Sequence, residues 1–389
     1  MSSEQRIRVL HFLNSPAVPG GAEEHVYSLV QALPPTRFDV SIVCTSSTYR
    51  FFEPLQAQGR KVFRLDLFQP THLGAMKELI GIVRKQHIDI VHAHQFVATL
   101  YLAPLSKLAG VPYAIETTHV REAWRKGWIK RSFLIDRFIY RFVDAFIAVS
   151  RANGDYLVNQ KRCPPGKVNV IYNGRDLRRF QPAAGAGAAI RRQWGIAASD
   201  RLLVHAGRLE TQKGHAILLE SADLVRRQVP NLKILFVGEG SLRPFLESQV
   251  DRLGLRNVVI FAGLQANVEH YLDAADLAVL PSLWEGLPLV AIEAAAMGKA
   301  MVATAVDGTP EVVHDGETGL LVPPGDSREL ARAITSLLLD DDRRRQMGLA
   351  ARRLAEQRFS IQRQAEETAA LYEGLLGART QAGLLARAG

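Results

Sequence analysis

Glu285 and Glu293 sit eight positions apart in Ser282-Leu283-Trp284-Glu285-Gly286-Leu287-Pro288-Leu289-Val290-Ala291-Ile292-Glu293. The apolar run 277–280 before them reads as a buried parallel strand, and Pro288 suits the first turn of a helix that ends near Gly298. One carboxylate therefore falls in a strand-to-helix loop and the other inside the helix. The start of such a helix offers free N–H groups and a positive dipole end, which suit a diphosphate and make a nearby carboxylate a poor phosphate ligand. The two glutamates are expected to bind hydroxyls. Anion-binding backbone beside hydroxyl-binding carboxylates describes a site for a nucleotide sugar.

Further residues could serve the same chemistry. Residues 204–214 read as a strand emptying into a loop that carries Arg208 and Lys213. Two fixed cations there would stabilise the charge that develops on a departing diphosphate more than they stabilise the ground state. As solvated loop charges they would need no explanation, but the frame Gly207-Arg208-Leu209 with Gly214 favours the functional reading. Gly20-Gly21-Ala22-Glu23 follows the first strand and opens the first helix, where small residues let backbone N–H groups approach an anion, an ordinary turn being the plain alternative. His119 ends the strand-like run 114–118. In Val91-His92-Ala93-His94 one histidine reads as core and the other as facing the cleft, and neither as a catalyst.

Two patterns point away from other chemistry. Gly238-Glu239-Gly240 begins like a dinucleotide fingerprint, but Arg243 stands where the third glycine belongs, so a nicotinamide cofactor is not expected. Asp340-Asp341-Asp342 formally contains Asp-x-Asp, yet it precedes Arg343-Arg344-Arg345 in a helix-start pattern, so it reads as structural and no metal is expected. Asn173-Gly174 reads as a turn that uses positive φ.

These positions need elements to hold them. Strand-like runs at 8–13, 40–44, 62–65, 88–92, 113–117, 145–149 and 168–171 alternate with helical ones at 23–33, 72–85 and 98–109, which predicts a parallel doubly wound sheet. An Ala/Gly stretch at 183–187 marks a boundary. A second series of strands follows at 202–205, 233–237, 258–261, 277–280 and 300–303. The expected division is an acceptor-side domain over 1–180, a nucleotide-binding domain over 181–359, a helix over 360–377 and a flexible tail over 378–389.

A chain of 389 residues with a 47% hydrophobic share suits two soluble α/β domains. No apolar stretch reaches membrane-span length and the start lacks a signal-peptide core, so a cytoplasmic location is expected. Cys44 and Cys163 are too few for a disulfide framework or a thiolate metal site. The net charge of +9 is uneven: residues 1–180 carry 25 Lys/Arg against 14 Asp/Glu, and residues 181–389 carry 23 against 25. The excess concentrates in Arg121, Arg125, Lys126, Lys130, Arg131, Arg137 and Arg141, interleaved with Trp124, Trp128, Phe133, Phe138 and Phe142. Two readings stand side by side for 124–142: a contact with an anionic membrane surface, or an apolar face on the core with solvated charges outside. Because the excess is local, no nucleic-acid partner is expected.

The segment around Glu285 resembles the E-x7-E motif of the retaining glycosyltransferases of the GT-B fold, the "group 1" or family 4 transferases. Arg208 and Lys213 resemble the family's pair that holds the donor pyrophosphate. Gly20-Gly21 resembles its Gly-Gly-x-Glu loop, and His119 its histidine near the anomeric carbon, with Val120 where Asp is frequent. Tyr172 and Arg175 depart from the family's hinge turn, where Pro and an aliphatic residue are common. The resemblance implies two Rossmann-like domains facing across a cleft and metal-independent transfer of a sugar from a nucleoside diphosphate, UDP favoured over GDP or ADP, to a glycan or lipid-linked acceptor. It gives Glu285 the sugar hydroxyls and Glu293 the ribose diol, with Gly20, Gly21, Gly238, Gly286 and Leu287 among the nucleotide-binding positions. The family precedent is bacterial cell-surface glycan assembly. An epimerase or phosphorylase of the same fold, or a non-catalytic sugar-nucleotide sensor, are the rival readings.

Overall fold

The computed structural model describes residues 6–13, 20–66, 72–122 and 133–388. Two compact units divide the chain, Met1–Asn173 with Ile361–Gly389, and Gly174–Ser360. The first holds β1 (Ile7–Leu13), β2 (Phe38–Cys44), β3 (Lys61–Arg64), β4 (Ile90–His94), β5 (Tyr113–Thr118), β6 (Ala145–Ala148) and β7 (Val168–Val170) in the parallel order β3-β2-β1-β4-β5-β6-β7. The second holds β8 (Arg201–Ala206), β9 (Leu232–Val237), β10 (Val259–Gly263), β11 (Leu277–Leu280), β12 (Met301–Thr304) and β13 (Gly319–Val322) in the order β10-β9-β8-β11-β12-β13. This is the pair of doubly wound sheets that the alternating pattern predicts.

Both faces of each sheet are covered, which explains the near-continuous apolar runs. In β1, Leu10 and Phe12 pack with Val91 and Phe146 on one face, while Val9 and Leu13 pack with Val26, Phe38 and Ile147 on the other. The order reverses between β1 and β4 and between β8 and β11, so neighbouring crossovers leave in opposite directions and open a crevice at the strands' carboxyl ends. The loops that matter chemically start at these ends.

Several elements differ from the sequence-based expectation, among them the following three. β4 extends to His94, because His94 pairs with Leu13 and Thr117 in the flanking strands. β13, a four-residue strand that itself begins with Gly319, does not stand out in the sequence and completes the second sheet by pairing with β12. Pro288 caps the helix Leu289–Ala296 rather than lying inside its first turn.

The long helix Ile361–Ala388 belongs to the first unit, where Ala365, Ala369 and Tyr372 join the core around β1 and β2. Tyr372 is fully buried and its hydroxyl meets Nδ1 of His92 at 2.6 Å. Tyr372→Phe should leave that buried nitrogen without a partner and lower the stability of the first unit by about 1–3 kcal/mol, measured as a shift of its transition in urea unfolding.

Candidate active site

In the second unit, the loops after β8 and β11 lie backbone against backbone. Gly214 has φ +67, and a Cβ there would sit 1.9 Å from the carbonyl oxygen of Pro281. Leu283 N–H donates to Gln212 O at 2.8 Å, and the Gln212 amide donates to Trp284 O at 3.0 Å. This sewing brings Lys213 Nζ to 2.6 Å from Glu285 Oε1, the oxygen that also accepts from Ser282 Oγ at 2.7 Å. Glu285 is only 4% exposed, and Oε2 accepts no hydrogen bond among the described residues. One oxygen is thus neutralised and held while the other stays available to a hydroxyl.

Asp307, at the end of the loop after β12, accepts from Glu285 N–H at 2.8 Å through Oδ2. Its φ is +43, a conformation that Asp adopts more readily than most side chains. Gly308 N–H donates to Gly286 O at 3.1 Å, so the Glu285-Gly286 turn is tied down at two points, and Leu287 beyond it is buried. Sequence reasoning missed Asp307 and Ser282. Ser282 was adjacent to the motif, but nothing in the sequence links Asp307 to a loop 22 positions earlier.

Arg208 is half-buried at the mouth of β8 and has no ion-pair partner among the described residues. Gly238 touches the same loop: with φ +146, a Cβ there would sit 2.1 Å from Gly207 O. Its glycine is therefore required by loop packing, whatever else its backbone binds. Glu293 lies one turn into its helix, 8% exposed, and Arg175 Nη2 meets its Oε1 at 2.7 Å. The Arg175 guanidinium also lies 5.2 Å from the Phe180 ring centroid. The carboxylate assigned to the ribose diol is thus already engaged, by the residue that departs from the family's aliphatic position. Asp340 caps the helix Asp341–Arg358 through Arg343 N–H at 2.9 Å, and Asp341 pairs with Arg201 and Arg344.

In the first unit, the amide of Gly20 donates to Glu23 Oε2 at 2.7 Å, closing the start of the helix Gly21–Ala32 on itself. The expectation that this amide is open to an anion is corrected to that extent; residues 14–19 lie outside the described residues. Both His92 and His94 are buried, correcting the expectation that one of them faces the cleft. Period two puts His11, His92, His94 and Thr117 on the same face as Val9 and Ile90, which the helices carrying His25, Gln364 and Tyr372 cover. The rings join edge to edge: His11 Nδ1 meets His94 Nε2 at 2.9 Å, and His94 Nδ1 meets His119 Nε2 at 3.0 Å. His92 Nε2 meets Thr117 Oγ1 at 2.6 Å, and His25 Nδ1 meets Asn173 Oδ1 at 2.8 Å. His119, partly exposed just past β5, is therefore oriented by His94 and not by an acidic neighbour. The sets His11, His92, His94 and His25, His94, His119 each bring ligand atoms within 4.8 Å of one another. The sequence signal for this cluster was polar residues inside apolar strands.

Residues 188–354 match the family described as Glycosyl transferases group 1, and residues 19–179 match Glycosyltransferase Family 4. The chain is 30% identical to the alpha-maltose-1-phosphate synthase of Mycolicibacterium smegmatis over 92% of its own length and 96% of that protein. It is 26% identical to the UDP-Gal:alpha-D-GlcNAc-diphosphoundecaprenol alpha-1,3-galactosyltransferase of Escherichia coli, over 87% of this chain and 90% of the relative. Among solved structures, Anabaena Alr3699/HepE in complex with UDP and glucose superposes with a TM-score of 0.84 at 23% identity, covering 95% of this chain and all of that one. The protein belongs to the group 1, family 4 glycosyltransferases, and its fold is GT-B.

Burial holds the histidines of the first unit neutral. Loss of solvent pushes His11 down to about 3 and His25 down to about 4 from an ordinary value of 6.5. His92, His94 and His119 lie well below it for the same cause, reinforced by neighbouring imidazoles. The unfolded chain binds protons at these sites first, so stability is full above pH 6.5 and falls as pH drops towards the folded values. Each buried histidine should remove about 1.4 kcal/mol per pH unit over that window. Hydrogen exchange resolved by segment should show the face around β1 and β4 losing protection between neutral pH and pH 4.

Proposed function

We propose that the protein transfers a sugar from a nucleoside diphosphate sugar, UDP favoured, to a hydroxyl of a glycan or lipid-linked acceptor, with retention at the anomeric carbon. The observation that carries this reading is the loop pair after β8 and β11, where Lys213 and Ser282 hold one oxygen of Glu285, and the loop that carries Lys213 also carries Arg208, which has no ionic partner among the described residues. Arg208 and Lys213 take the diphosphate, Glu285 holds hydroxyls of the transferred sugar, and Glu293 takes the ribose diol. His119 is assigned to the neighbourhood of the anomeric carbon by the family resemblance. The attacking hydroxyl approaches the face that the diphosphate leaves and passes its proton to a donor phosphate oxygen. The chain's own contribution is then positioning and charge stabilisation, with cationic side chains in place of a metal.

The UDP of the Anabaena structure and the UDP-Gal donor in the name of the E. coli relative support uridine as the base. The diphosphoundecaprenol acceptor in that same name supports a lipid-linked acceptor, and we infer bacterial surface polysaccharide or glycolipid assembly, lipopolysaccharide included, as the setting. A panel of nucleotide sugars, followed for nucleotide release with and without acceptor and in the presence of EDTA, tests the reading. UDP release that depends on an acceptor and survives EDTA is the expected result; acceptor-independent interconversion of the donor would make it an epimerase. Arg208→Ala and Glu285→Gln should each lower kcat by about a hundredfold, while Glu285→Gln leaves affinity for free UDP unchanged in calorimetry.

An anionic membrane surface is the proposed partner of the first unit, which places the protein on the inner face of the cytoplasmic membrane. No helix among the described residues is long and apolar enough to cross a bilayer. Of the basic aromatic stretch 124–142, residues 124–132 lie outside the described residues and 133–142 within them. There the short helix Leu134–Ile139 turns Leu134, Ile135 and Phe138 outwards, 59%, 61% and 57% exposed, beside Arg137 and Arg141. Apolar side chains next to cations suit a headgroup boundary, and each basic residue near an anionic surface contributes about 1 kcal/mol. Sedimentation should be stronger with anionic than neutral vesicles, weaken in salt, and be lost on reversing Arg137 and Arg141 to Glu together with Leu134→Ser; equal sedimentation with both vesicle types would make this an ordinary solvated face.

A further inference from the structure

We propose that His11 and His94 are positioning residues that fix His119 as the tautomer with its proton on Nδ1, so that His119 presents a hydrogen-bond donor, and not a base, to whatever oxygen approaches it. His11, His94 and His119 form one line of rings, joined by the contacts of 2.9 and 3.0 Å between His11 Nδ1 and His94 Nε2 and between His94 Nδ1 and His119 Nε2. A neutral imidazole has one N–H and one bare nitrogen. Each of the two ring-to-ring hydrogen bonds uses one proton, so the third sits at one end of the line, on Nε2 of His11 or on Nδ1 of His119.

The two ends are not equivalent. Nε2 of His11 is buried and meets no partner among the described residues. His119 is partly exposed, and its Nδ1 makes no hydrogen bond within the described chain. A buried N–H without an acceptor is rarer in folded proteins than an under-satisfied acceptor. The bare nitrogen therefore belongs on His11 and every hydrogen bond points outwards: His11 Nδ1–H donates to His94 Nε2, and His94 Nδ1–H donates to His119 Nε2. That leaves Nδ1–H at the outer end. His25 packs edge-on against His119, with ring centroids 4.6 Å apart. The desolvation that keeps all of these rings neutral keeps the count at one proton per ring.

The consequence for chemistry rests on the proposed placement of His119 near the anomeric carbon. There a fixed N–H would support a sugar hydroxyl or a developing oxyanion, and general-base attack would fall to another group, in keeping with proton transfer to the donor phosphate.

The tautomer can be read on ligand-free protein by long-range proton–nitrogen correlation of ¹⁵N-histidine-labelled protein, with the His119 signals assigned by their loss in His119→Gln. Protonated Nδ1 and bare Nε2 at neutral pH are expected. Protonated Nε2 on His119, a charged ring, or a transition ion shared by His25, His94 and His119 would each overturn the proposal. This outcome is independent of whether any donor is turned over, so it separates the proposal from the functional reading. Where turnover is found, His94→Phe should lower kcat by about tenfold or more with donor KM unchanged, by analogy with the loss on removing a partner that orients a metal-bound imidazole. His94→Gln, which carries a donor and an acceptor on one amide, should recover part of the loss. The double variant with His119→Gln should be no slower than His119→Gln alone; additive losses would mean that His94 acts on the fold rather than through His119.

Discussion

Everything chemical in the second unit depends on two loops lying closer than side chains allow. Without a Cβ at Gly214, the loop after β8 rests on the Pro281 carbonyl, and only at that distance can Lys213 reach Glu285. A parallel sheet supplies the condition for this contact, because all of its strand ends point the same way and deliver their loops to one edge. Gly238 repeats the device on the other side of β8, against Gly207. The site is therefore held by backbone, and backbone contacts cannot relax as a side chain would.

The charges are handled in two ways. Glu285 shares one oxygen between a cation and a hydroxyl, which offsets part of its desolvation without closing the carboxylate off. Glu293 is held more tightly, by a guanidinium that is itself nearly buried and rests against Phe180. Where the family resemblance leads one to expect an aliphatic residue, this chain has put a counter-ion, so any ligand of Glu293 meets a carboxylate whose geometry Arg175 has already set.

In the first unit the cost is desolvation of imidazoles. Five of them share one sheet face and the helices over it, and burial keeps them uncharged. Such a cluster is tolerable because the rings satisfy one another except at Nε2 of His11 and Nδ1 of His119, with Tyr372, Thr117 and Asn173 closing other positions. Stability of the face and orientation of His119 are thus two outcomes of the same set of hydrogen bonds.

The parallel sheets were legible because runs such as 40–44 and 233–237 are apolar on both faces, a local property. The Glu285 segment was legible because a strand, a Pro-led helix start and two carboxylates fall within one short stretch. Asp307, Arg175 and the histidine line were not, since each acts across a separation that only folding closes: Asp307 reaches back 22 positions to the Glu285 amide, and His92 meets Tyr372 across 280. The sequence by itself determined the order of the elements, the family and the residue types at the strand ends. Tertiary structure alone decided which oxygen of Glu285 is occupied, that Glu293 has a buried partner and that His94 faces His119, because hydrogen bonds act over about 3 Å and the chain has no local means of setting distances between residues far apart in sequence.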